Sequence, residues 1–171
     1  MNTELLQSQI VNYFSGERRE VTIILMIAPV IVALAMFLFL AAKDKFSIGF
    51  SIPVVLLDIA VSVTAVSLLV RDKTLRANLI SATETAEMAR PALTAEKARI
   101  EKVIANYPYY RYGSIALVII GFLAIALTRS SLANGITAGL LLAASAQLII
   151  DHYSEARADI YKTALEQFLG S

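Results

Sequence analysis

VTIILMIAPVIVALAMFLFLAA, Val21 to Ala42, carries no charged residue, and its length is that of a bilayer-crossing helix, for which about 20 apolar residues suffice. Three further runs have the same character. Ile48 to Val70 is interrupted only by Asp58, Tyr109 to Thr128 begins with the interfacial YYRYG, and Leu132 to Ile150 reads LANGITAGLLLAASAQLII. The links KDKFS and RSS are short, so the spans pair into two tight hairpins.

Composition agrees with this reading. Hydrophobic residues make up 57% of the 171 and mean hydropathy is +0.67, too apolar for an ordinary soluble domain. A net charge of +1 gives no overall field for nucleic acid. Cysteine is absent, which excludes disulfides, thiolate metal sites, a cysteine nucleophile and palmitoylation. The expected fold is all-α: an integral membrane four-helix protein of two parallel-repeat helical hairpins with helical cytoplasmic extensions. Residues 1-171 form one polytopic domain, with spans at about 21-42, 48-70, 109-128 and 132-150.

Orientation follows from Lys and Arg near the span ends, because cationic loops stay cytoplasmic. With both termini and the long middle segment on one side, twelve of the fifteen basic residues fall there, against Lys43, Lys45 and Arg129 opposite. All seven tyrosines share the basic side, in part what an interfacial aromatic belt leads one to expect. Both termini are therefore expected in the cytoplasm, with the chain in a bacterial inner (plasma) membrane. Boundary residues on that side are Arg71, Asp72, Arg111, Asp151 and His152. Glu4, Glu17 and Glu20 around Arg18 and Arg19 argue against a cleaved signal and for a retained first helix.

The segments outside the spans, about 3-15, 71-106 and 151-169, have helical periodicity. Leu6, Ile10, Tyr13 and Phe14 form one stripe; Leu75, Leu79 and Ala86 form another. Beyond an expected break at Pro91 and a cap at Thr94, Ile100, Val103 and Ile104 continue the pattern. The tail gives Tyr153, Ile160, Tyr161, Ala164, Leu165 and Phe168, with Gly170 as the stop. Acids and bases are mixed on the polar faces, whereas a helix lying on a membrane is rich in Lys and Arg, so packing of these helices together is expected. IVNYF (Ile10 to Phe14) recurs as IANYP (Ile104 to Pro108), and RANLI (Arg76 to Ile80) as RADIY (Arg157 to Tyr161), which suggests a duplicated hairpin.

Chemistry has few candidates. Asp58 lies about midway along the second span, where a charge costs about 2.5–3.5 kcal/mol, so it must face protein or water. It is expected as a neutral carboxyl hydrogen-bonded to Ser62 or a facing span; a protonatable or cation site on a transport path is the other reading. Gly135, Gly139 and Ala143 form a small-residue face for close helix packing, within the chain or between copies. Gln147 is expected to bond across helices. His152 is the only histidine, so zinc sites that need two are excluded. No catalytic set, cofactor-binding motif or metal-ligand spacing occurs.

Three function classes follow. The first is a non-enzymatic membrane protein acting through helix–helix contacts, as an oligomeric scaffold, an accessory subunit or a toxin-immunity factor. Its partners are the lipid bilayer and either copies of itself or another membrane protein. The second is a small homo-oligomeric channel or transporter with Asp58 on the path. The third, an intramembrane enzyme, lacks a recognisable catalytic set.

Overall fold

A computed structural model describes residues 3 to 170, apart from the side chains of residues 86 and 87. Four helices account for nearly all of it: α1 (Thr3–Ala41), α2 (Lys45–Glu84), α3 (Ala86–Leu127) and α4 (Ser131–Leu169). No strand occurs among the described residues. All four helices are long and apolar enough to cross a membrane, and each continues without a break into the amphipathic segment beside its apolar run.

The turns have local causes. Lys43 takes the left-handed conformation, φ 52°, and Asp44 then caps α2. One Asp44 carboxylate oxygen accepts the Ser47 N–H at 2.9 Å and the other the Ser47 hydroxyl at 2.9 Å, satisfying an amide that the first helical turn leaves unpaired. The bond from the Ser47 amide holds the Asp44 carboxyl below the usual carboxylate range. Ser130 does the same for α4, its hydroxyl accepting the Ala133 N–H at 3.4 Å.

The break expected at Pro91 lies instead at Thr85, whose carbonyl accepts the N–H groups of Met88 and Ala89 at 3.0 Å each. Thr94 is no cap; its hydroxyl donates back to the Arg90 carbonyl at 2.8 Å. Pro91 lies in the second turn of α3, where proline removes one amide donor. Ala89 and Leu93, both buried, anchor that turn in the core.

The chain divides into two compact units, and each helix contributes to both. The first takes α1 up to Val21, Val66–Tyr109, and α4 from His152 onward. Its core joins Leu6, Ile10, Tyr13 and Phe14 of α1, Leu79 of α2, Leu93, Ile100 and Tyr107 of α3, and Ala158, Tyr161 and Leu165 of α4. Leu6, Leu93, Ile100 and Leu165 are wholly inaccessible, and burial of each such side chain contributes about 1.5–3 kcal/mol. Tyr153 and Ile160 do not join them. Both are 63% exposed, because at 100° per residue they lie about 80–100° round the helix from Tyr161.

The second unit, Thr22–Ala65 and Tyr110–Asp151, holds the apolar runs. The Ser51 hydroxyl of α2 donates to the Ala35 carbonyl of α1 at 2.7 Å, buried. α2 and α4 meet backbone to backbone: a methyl group on Gly49 would overlap the Leu132 carbonyl, and one on Gly135 the Phe46 carbonyl. On Gly139 it would lie 2.8 Å from the Phe50 carbonyl oxygen. Such approach is available only to residues without a side chain. Gly121 of α3 instead receives the side chains of Leu141 and Thr137 of α4.

Candidate functional site

Asp58 is half-buried and lines a cavity of about 350 Å³ in the apolar unit, together with Ile27 of α1, Val54 of α2, and Gly139, Ala143 and Gln147 of α4. Three helices thus supply its surroundings. The expected hydrogen bond is not there: Asp58 has neither a donor nor a counter-ion among the described residues, Ser62 included. Gln147 does not bridge helices either. Its side-chain amide donates at 2.6 Å to the carboxylate of Asp151, one turn further along α4, since residues four apart face each other on a helix. Gly135 and Gly139 are buried against α2, so that part of the small-residue face is occupied within the chain. Ala143 is half-buried on the cavity wall.

The boundary residues separate. Asp72 is buried and accepts two bonds from Arg71, at 2.8 and 2.7 Å. Asp151 is buried, whereas His152 is exposed with its ring edge-on to Tyr153 at 5.5 Å. Arg111 is half-buried. Among the described residues no three His, Cys, Asp or Glu side chains form a group able to hold a metal.

The first unit contains a polar arrangement that the sequence reading did not single out. Glu96 is 3% exposed, and Arg99 one turn later grips it with two N–H bonds at 2.8 and 2.7 Å. Burial opposes the Arg99 charge, but the Glu96 bonds and carboxylate charge outweigh it, and the guanidinium holds its proton more tightly than usual. Tyr13 and Tyr161 stack against each other beside this pair. Burial pushes both hydroxyls above the ordinary tyrosine range, Glu17 adding to the effect on Tyr13 and Glu96 to that on Tyr161.

The Tyr13 hydroxyl donates to Glu17 at 2.9 Å. Burial, followed by the negative charge of Asp72, raises the Glu17 carboxyl to about 7; Arg71 approaches it only to 3.9 Å. Glu20 of α1 accepts bonds from Ser154 at 2.8 Å and from Arg157, both on α4. Arg157 reaches it over Gly16, where an added methyl would stand 2.8 Å from the arginine chain.

The intrahelical members of this set were legible as spacing, Tyr13 with Glu17 and Glu96 with Arg99. The cross-helix ones, Glu20 with Arg157 and Glu17 with Asp72, depend on register between helices far apart in sequence. The arrangement ties helix ends together with charge-assisted bonds. In comparisons with protein-family models, curated proteins and solved structures, nothing matches this chain.

Proposed function

We propose that the chain is a non-enzymatic integral membrane protein that acts through helix–helix contacts, as an oligomeric scaffold or an accessory or immunity-type subunit for another membrane protein. The observation that carries this reading is the first unit, where ends of all four helices close on one aromatic core threaded by the Glu96–Arg99 and Glu20–Arg157 pairs. A packed module of this kind fixes the register of the four helix ends that form it, and ion pairs withdrawn from water serve geometry more than stability. It lies on the side that carries twelve of the fifteen basic residues, which the positive-inside rule assigns to the cytoplasm. A bacterial inner membrane with both termini cytoplasmic fits that pattern.

The hairpins α1–α2 and α3–α4 are proposed as parallel copies. Support comes from IVNYF and IANYP, where Tyr13 and Tyr107 are both buried in the core. RANLI and RADIY give none, since Ala158 is inaccessible and Ile160 exposed while Leu79 is buried.

Transport is the second reading, and one observation favours it: Asp58 lines a cavity in the apolar unit without a partner among the described residues, and intramembrane ionisable groups commonly mark ion paths. Mass measurement in detergent or lipid nanodiscs tests the first reading. A multiple of the 18.6 kDa chain, or a stable stoichiometric complex with another membrane protein, is expected. A lone monomer under all mild conditions, with no co-purifying membrane partner, speaks against a contact role.

A further inference from the structure

Between α1 and α2, in the first unit, lies a second cavity of about 750 Å³. Its walls are Phe14 from α1 and Leu69 and Val70 from the end of the second apolar run; its cations are Arg18, Lys73 and Arg76. One acid, Asp72, also borders it, but that carboxylate already takes two bonds from Arg71. Lys73 and Arg76 lie three apart on one helix face and make no ion pair with a described residue. The groove thus joins an apolar wall to concentrated positive charge, at the point in the sequence where two proposed spans meet their basic flanks.

Charge and apolarity side by side select an amphiphile with an anionic head. We propose that this groove binds an anionic phospholipid, its phosphate held by Arg18, Lys73 and Arg76 and its acyl chain running along Leu69 and Val70. Arg and Lys both pair well with phosphate oxygens, and basic pockets at the cytoplasmic ends of membrane helices are suited to anionic headgroups. The proposal does not depend on whether the protein acts by contact or by transport.

The test uses the full chain in mixed micelles, with phosphatidylglycerol and phosphatidylcholine as probes and bound lipid read by native mass spectrometry. Phosphatidylglycerol should be retained at about one per chain and phosphatidylcholine should not. Each cation near a membrane surface contributes a factor of about five in binding, so Lys73→Gln with Arg76→Gln should weaken retention on the order of thirty-fold. Arg19→Gln with Lys102→Gln removes the same charge away from the groove and should leave retention unchanged. Equal retention of the two lipids, or equal loss in the two double variants, overturns the proposal. Displacement of phosphatidylglycerol by millimolar glycerol 3-phosphate also overturns it, by identifying a soluble phosphate ligand instead.

Discussion

Tyr13 and Tyr161 stack with ring centroids 4.4 Å apart and planes 13° from parallel, and the buried Glu96–Arg99 pair lies against them. Removing one member of a buried pair strands a charge, at a cost of about 3–5 kcal/mol. Glu96→Ala should therefore destabilise by about that amount in denaturant unfolding in micelles. Replacing the pair by apolar residues, Glu96→Leu with Arg99→Met, should recover most of the loss. A double variant as unstable as the single one would show that the charges do more than hold geometry.

Glu17 makes stability depend on pH in a stated direction. Folded, its carboxyl keeps its proton up to about 7, against an ordinary value of 4.5, because burial and the neighbouring Asp72 carboxylate disfavour its charge, while the Tyr13 hydrogen bond and Arg99 offset them only in part. The folded state thus binds more protons between those values. The stability contributed is fully present below about 4.5 and lost as pH rises through about 7. Glu17→Gln should flatten this decline and be more stable than the parent at pH 8 by about 3 kcal/mol. Unfolding curves from pH 4 to 9 give the comparison; parallel profiles would contradict it.

Gly135 touches the Phe46 carbonyl with no room for a methyl group. Gly135→Ala should force α2 and α4 apart and lower stability by about 1–3 kcal/mol, the usual cost of overpacking. Gly113, which has open space around it, should accept alanine without that loss. Thermal unfolding in detergent compares the two.

Topology is open to cysteine mapping, since the chain contains no cysteine of its own. Ser81 and Ser130 are both exposed. In intact cells an impermeant thiol reagent should label Ser130→Cys and not Ser81→Cys. The reverse pattern would invert the orientation.

Much of the architecture was legible in the sequence because two periodicities dominate it. Long uncharged runs mark the apolar parts, and stripes such as Leu6, Ile10 and Tyr13 mark the packed ends; the structure buries all three. The break at Thr85 was not legible, because proline near a helix start sacrifices only one donor when flanking residues are buried. Tyr153 and Ile160 were misplaced because a stripe wide enough to include them exceeds one helix face. Gln147 was read as a cross-helix donor, yet Asp151 four residues on captures it. The surroundings of Asp58 required knowing which helices pack together, and nothing in its own span encodes that.

Proton flux into liposomes bears most directly on the contact role against its rival, because Asp58 is the one feature that favours transport. Contact function predicts that liposomes carrying the wild-type protein, Asp58→Asn and no protein dissipate an imposed pH gradient at the same rate. Faster dissipation by the wild type, abolished in Asp58→Asn at equal incorporation, would contradict it and make the cavity beside Asp58 a proton path.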